Sequence, residues 1–207
     1  MASSSSRRVG LERKAVGAPY RARRVRRRAG MTTTEYLQTP ETVLPRELAF
    51  GVLRVAESPT VLHQRVVRDL TLALCTFVKE RHIGEVLPAP MDVVLDYANA
   101  LVVQPDLLFV SNDRREIITD RVYGAPDMVV EVLSPRPRIG KLDERVAWFA
   151  QYGVRECWIA DAVRKEMTVL TFADGEIAHR EAAKGATRIA TAVLDGLRLT
   201  PDSVFGW

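Results

Sequence analysis

Residues 124–135 read GAPDMVVEVLSP, and the position of one acid within this run decides how the chain folds. Three valines and a methionine surround Glu131, a composition that favours an extended, buried strand over a helix. Side chains alternate faces along a strand. Asp127, Val129 and Glu131 therefore share one face, while Met128, Val130 and Val132 share the other. A strand apolar on both faces belongs inside a covered sheet. An ionised carboxylate in the middle of it is costly unless it is paired or binds a cation.

Upstream, QPDLLFV (104–110) repeats the theme, with Asp106 opening an apolar strand after Pro105. Twenty-five residues separate Asp106 from Glu131, enough for an adjacent antiparallel strand and a polar connection through residues 114–123. Two carboxylates brought together in this way repel each other. Mg²⁺ or Mn²⁺, with hard oxygen ligands, relieves that repulsion. A salt bridge to Arg138 or Arg145 would relieve it equally well, and the pattern alone leaves both readings open.

Further out, helices and strands follow in mixed order. Residues 32–40 read as a short helix capped by Thr32–Thr34 and closed by Pro40. RELAFGVLRVAE turns around Gly51 as a hairpin or bulged pair. From Val61 to His82, Leu62, Val66, Val67, Leu70, Leu74, Phe77 and Val78 recur at helical spacing, and Gly84 reads as the C-terminal cap. MDVVLDY reads as a strand, KLDERVAWFAQY as a helix ending at Gly153, and RECWIAD and EMTVLTF as strands. Asp174-Gly175 is a hairpin signal leading into EIAHREA. AVLDGLRLTPDSVF fits a last strand and a terminal turn, and Trp148, Phe149 and Trp158 read as core. This order predicts an α/β (α+β) mixed sheet flanked by helices.

The bulk numbers suit one domain over residues 31–207, with 47% hydrophobic and 27% charged residues in the whole chain. No apolar run reaches the roughly 20 residues that span a bilayer, so a cytoplasmic protein with no membrane partner is expected. Residues 1–30 hold ten basic side chains against Glu12, a balance of +9. Of 30 basic and 26 acidic residues in all, residues 31–207 keep 20 and 25, a balance of −5. The first 30 residues are expected to be disordered. They read as a nucleic-acid-binding arm, a transit peptide, or an extension foreign to the domain. Cys75 and Cys157 lie in apolar segments and read as buried free thiols.

QPDLLFV, then GAPDMVVEVLSP, then a helix ending in YGVRECWIAD resembles the Uma-two family of restriction endonucleases, in the PD-(D/E)XK nuclease superfamily. RELAFGVLRV, SPTVLHQRVVRDL and TEYL upstream and LDGLRL downstream extend the likeness over nearly all of residues 31–205. The resemblance implies a restriction-endonuclease-like fold and metal-dependent cleavage of nucleic acid, DNA foremost, with room for a homodimer. It makes Asp106 and Glu131 the metal ligands, for Mg²⁺ or Mn²⁺. It also implies a water-positioning lysine, which in the superfamily stands two residues after the Glu, here Leu133. In the Uma-type pattern that lysine moves to the following helix, nine residues before the Val of Gly-Val, and here the position is Arg145. Arginine carries the charge but cannot serve as a titratable proton carrier. Lys141, one turn earlier, is the other candidate. Glu47 matches an acidic position before the first Gly turn, and His63 matches the family's His-Gln pair; both read as supporting residues, or as a solvated charge and a packing histidine. Asp127 reads as a strand-opening cap or turn residue.

Three functions follow from these residues. The first is phosphodiester hydrolysis in which Asp106 and Glu131 hold the ion and Lys141 or Arg145 assists. The second is a catalytically silent nucleic-acid- or partner-binding protein that keeps the fold. The third is a structural domain in which the acids are buried in salt bridges.

Overall fold

The structure is a computed structural model that describes residues 30–40, 44–56, 58–134 and 141–207. The basic segment up to residue 29, and Arg138, lie outside the described residues. The chain opens with α1 (Thr33–Leu37), where Thr32 and Glu35 form a reciprocal capping box. A hairpin of β1 (Arg46–Ala49) and β2 (Val52–Val55) follows, joined by the two-residue turn Phe50-Gly51 with positive φ at both positions. The long helix α2 (Val61–Arg81) is capped by Thr60.

Next come β3 (Gly84–Pro88), β4 (Val93–Asp96), β5 (Leu101–Val103) and β6 (Leu107–Ser111). A 3₁₀ turn (Asn112–Ile117) and β7 (Val122–Tyr123) lead into β8 (Met128–Val132). After α3 (Leu142–Tyr152) come β9 (Glu156–Asp161), β10 (Glu166–Ala173), β11 (Glu176–Lys184) and α4 (Pro201–Phe205).

The strands form two mixed sheets, ordered β2-β1-β5-β4-β7 and β11-β10-β9-β8-β6-β3. In the larger sheet only β8 and β9 run parallel, joined by the α3 crossover. Alternation on β8 sorts the layers. Met128, Val130 and Val132 join Leu107 and Phe109 under the Val66, Leu70, Leu74 and Val78 stripe of α2. Val129 faces the other way, with Leu108 and Val110, onto Val146 and Phe149 of α3 and Val93, Leu101 and Val103 of the smaller sheet. Tyr36 of α1 closes the far side of that smaller sheet over Leu48, Val94 and Val102. Glu131, on the Val129 face, therefore points toward α3 and the smaller sheet.

Several expectations are corrected. His82, in the left-handed conformation, caps α2, and Gly84 already belongs to β3. The glycine answers a different need: a Cβ there would sit 2.2 Å from the Val110 carbonyl and 2.7 Å from the Phe109 ring. Residues 192–200 form no strand. Leu194, Leu197 and Leu199 are buried from an irregular segment that α4 ends, and Glu156 holds it by accepting hydrogen bonds from Thr191 Oγ1 and the Ala192 N–H. The three hydroxyl and N–H donors on Glu156, including Trp158 Nε1, satisfy that fully buried carboxylate, with no counter-charge on it among the described residues. Trp148 is only half-buried, whereas Phe149 and Trp158 are core. β3, β5 and β7 were not foreseen. Both cysteines are free, Cys157 buried and Cys75 half-buried.

Candidate active site

β6 and β8 pair antiparallel with Leu107 opposite Val130, so the next pair along the ladder sets Asp106 beside Glu131. Asp106 precedes the first residue of β6, and its side chain continues the ladder: Oδ2 accepts the Val132 N–H at 2.7 Å. Its Oδ1 lies 3.2 Å from Nε2 of His63 in the first turn of α2, a turn fixed by Thr60 Oγ1 accepting the His63 N–H. Burial opposes protonation of His63, but the hydrogen bond and charge of Asp106, with Glu131 behind, outweigh it and raise its pKa.

Glu131 meets Arg145 from α3. Arg145 Nη2 donates to Glu131 Oε1 at 2.5 Å and Nε to the same oxygen at 3.2 Å. Its Nη1 donates to Glu47 Oε1 on β1. Nearly all of Arg145 is buried, and Phe149, one turn on, packs under its guanidinium at 5.6 Å. Burial disfavours the charge of Arg145, yet the two glutamates keep it protonated well beyond its ordinary range. The Glu131 carboxyl is pushed up to about 7 by burial; Arg145 opposes that push, while Asp106 and Glu47 add to it.

Gln104, which sequence reasoning passed over, extends this cluster into the smaller sheet. Its N–H donates to Glu47 Oε1 at 2.7 Å, its Nε2 donates to Asp92 at 2.8 Å, and its carbonyl lies 3.5 Å from Arg145 Nη2. Asp92 is also held by the Tyr36 hydroxyl and Arg121. The signal for Gln104 was its place immediately before Pro105-Asp106.

Of the candidates, Glu47, His63, Asp106, Glu131 and Arg145 thus form one cluster, drawn from β1, α2, the start of β6, β8 and α3. Lys141 does not join it. It occupies the N-cap position of α3 with an exposed side chain that makes no capping bond. Asp127 stands apart at the opposite end of β8. Its Oδ2 accepts the Ser111 N–H at 2.8 Å, Arg155 and Arg114 flank its Oδ1 at 3.2 and 3.5 Å, and its carbonyl receives the Arg155 and Glu156 N–H groups. Burial pushes its carboxyl up, but the Ser111 bonds and both arginines outweigh that and hold it below the ordinary carboxylate range. It is a clasp between strands.

A divalent cation suits the chemistry of this donor set. Three carboxyl groups, Glu47, Asp106 and Glu131, face one guanidinium and one imidazole, an excess of oxygen donors over bases. Arg145 touches only Oε1 of each glutamate, and Glu47 Oε2 is buried with no hydrogen-bond partner. Among the described residues, no three His, Cys, Asp or Glu side chains converge as a ready-made metal-binding group. No helix among them is long and apolar enough to cross a membrane.

The two mixed sheets, the α3 crossover and the acids at the β6–β8 junction define a restriction-endonuclease-like fold. The chain belongs to the Uma2 family, described as "Putative restriction endonuclease", whose pattern matches residues 33–202. A solved structure described as "a putative nuclease belonging to DUF820", from Anabaena variabilis ATCC 29413, superposes with a TM-score of 0.71 at 18% identity. The match covers 86% of this chain and 98% of that one. No curated protein matches the chain. Family and fold together point to a nuclease.

Proposed function

We propose that the protein is a divalent-metal-dependent endonuclease that hydrolyses phosphodiester bonds, with DNA as its substrate. The observation that carries this reading is the pairing of Asp106 and Glu131 at one end of two adjacent strands, beside a guanidinium in the place of the family's lysine. Asp106 and Glu131 would hold Mg²⁺ or Mn²⁺, which when bound supplies Lewis-acid activation of water and neutralises phosphate charge. Glu47 and Gln104 fix the orientation of Arg145. Arg145 keeps a permanent positive charge beside the scissile group and steadies the charge gained there. His63 orients Asp106 through Nε2. Lys141, exposed at the helix start, has no part in this assignment.

One observation favours a second reading, a nucleic-acid-binding protein without catalysis. Arg145 engages both glutamates at once, and arginine cannot trade a proton with water as lysine can. The two readings separate when the full chain is incubated with plasmid and single-stranded DNA in Mg²⁺ and Mn²⁺, beside Asp106→Ala/Glu131→Ala. Cleavage that needs the metal and both acids supports the nuclease. Absence of cleavage on every substrate, with nucleic-acid binding retained, supports the silent binder.

A further inference from the structure

The tip of the β1–β2 hairpin carries a residue that its turn does not require. A two-residue turn with positive φ at both positions is normally Asn or Asp followed by Gly. Here Phe50 takes the first place at φ 50. The ring gains nothing from that backbone and is 44% exposed. It meets Trp148 of α3 edge to face, with centroids 5.7 Å apart and planes at 81°. Arg54, on the second strand of the hairpin, lies 5.5 Å over the Trp148 ring and is held by Glu144 at 3.3 Å. Its Nη1 is buried without a hydrogen-bond partner.

These groups adjoin the acidic cluster. Glu47 lies three residues before Phe50, about 10 Å at the rise of a strand. Trp148 follows Arg145 by three residues on α3, so the two are neighbours on the helix surface. Residues 31–207 carry a balance of −5, so the general field of this part of the chain does not favour a polyanion, and any affinity arising within it is local.

We propose that Phe50 and Trp148, with Arg54 beside them, form a stacking platform for an unstacked base. On this basis the substrate is single-stranded or locally opened nucleic acid in preference to intact duplex. The inference rests on the nucleic-acid reading above and names its substrate class. Every base presents a π-face to an aromatic ring once it leaves the stack, whereas a duplex keeps those faces covered. Arg54, paired with Glu144 and lying over the Trp148 ring, steadies the platform from behind.

The test uses the full chain without metal, so that no cleavage occurs, and a single strand or matching duplex carrying 2-aminopurine. Wild type quenches the probe on the single strand. Phe50→Asn, which suits the turn better than phenylalanine, removes the quench and weakens single-strand binding roughly tenfold, with duplex binding unchanged. Unchanged single-strand affinity in Phe50→Asn, or equal loss on strand and duplex, overturns the platform. The two readings fail separately. A protein that binds single strands through Phe50 but cleaves nothing in Mg²⁺ or Mn²⁺ sinks only the hydrolase, and one that cleaves with Phe50-independent binding sinks only the platform.

Discussion

Arg145→Met removes the guanidinium between Glu47 and Glu131 and leaves the side-chain volume nearly intact, so it isolates the charge. In the wild type, one buried cation answers two buried acids, through Nη1 to Glu47 and through Nε and Nη2 to Glu131. Removing one member of a buried ion pair typically costs about 3–5 kcal/mol, because the remaining charge is left uncompensated in a medium that solvates it poorly. Glu131, already pushed up to about 7, takes up a proton once Arg145 is gone, so one stranded acid remains and the lower half of that range, about 3–4 kcal/mol, is expected. For a chain of this size that corresponds to a fall in Tm of about 6–16 °C. Urea unfolding at pH 7 in the presence of EDTA measures it, read as a shift of the midpoint at constant m. Adding Glu47→Gln to Arg145→Met removes one stranded charge and recovers at least 1 kcal/mol. Millimolar Mg²⁺ stabilises Arg145→Met more than it stabilises wild type, since a cation bound only by the folded chain shifts stability by mass action. If Arg145→Met unfolds within 0.5 kcal/mol of wild type in EDTA, a threshold set by the usual scatter of surface substitutions, the charge argument for this cluster is wrong.

Three further outcomes are expected. Arg145→Lys, which restores a titratable amine where the family pattern has one, raises metal-dependent nicking of plasmid above wild type; a rate at or below wild type counts against the assignment of that position. Asp127→Asn is less stable than wild type at pH 7. Because the Asp127 carboxyl is held below its ordinary 3.8, its contribution is present above about pH 4 and lost as pH falls through the lower folded value, so the stability gap between the two proteins narrows toward zero in acid. Gly84→Ala forces a methyl group against the Val110 carbonyl and the Phe109 ring and costs about 2–3 kcal/mol in urea, with β3 the first strand to lose amide-exchange protection.

The parts of the fold legible in the sequence are those where periodicity and burial agree. The β8 run shows its alternation openly, the α2 stripe repeats every four residues, and Asp174-Gly175 announces its hairpin with φ values of 53° and 81°. β3 was hidden because GEVLP lies between a helix end and two prolines, and its evidence is the approach of Gly84 to β6, which composition does not encode. β5 has three residues, too few for a period. In the tail, LDGLRL alternates like a strand, but its backbone bonds run Leu197 to Leu194 and Ile189 to Leu199, and a buried glutamate 36 residues away holds Ala192. At the site, the sequence left a metal pair and a salt bridge as competing answers for Glu131. The geometry puts Arg145 on the Glu131 carboxylate with Asp106 on the neighbouring strand, and only tertiary contact could join Glu47 to Arg145 across 98 residues.

The segment tethered by Glu156 has a consequence for how the chain is made. The core beneath α2 is completed by Ile189, Leu194, Leu197, Leu199, Val204 and Phe205, and Trp207 Nε1 donates to Asp69 across 138 residues of sequence. During synthesis α2 leaves the ribosome more than 100 residues ahead of the residues that finish its cover. Until those follow, its apolar stripe is incompletely shielded, a state in which nascent chains recruit chaperones or aggregate. Residues 189–205, which contribute nothing to the acidic cluster, determine when the core beneath α2 closes.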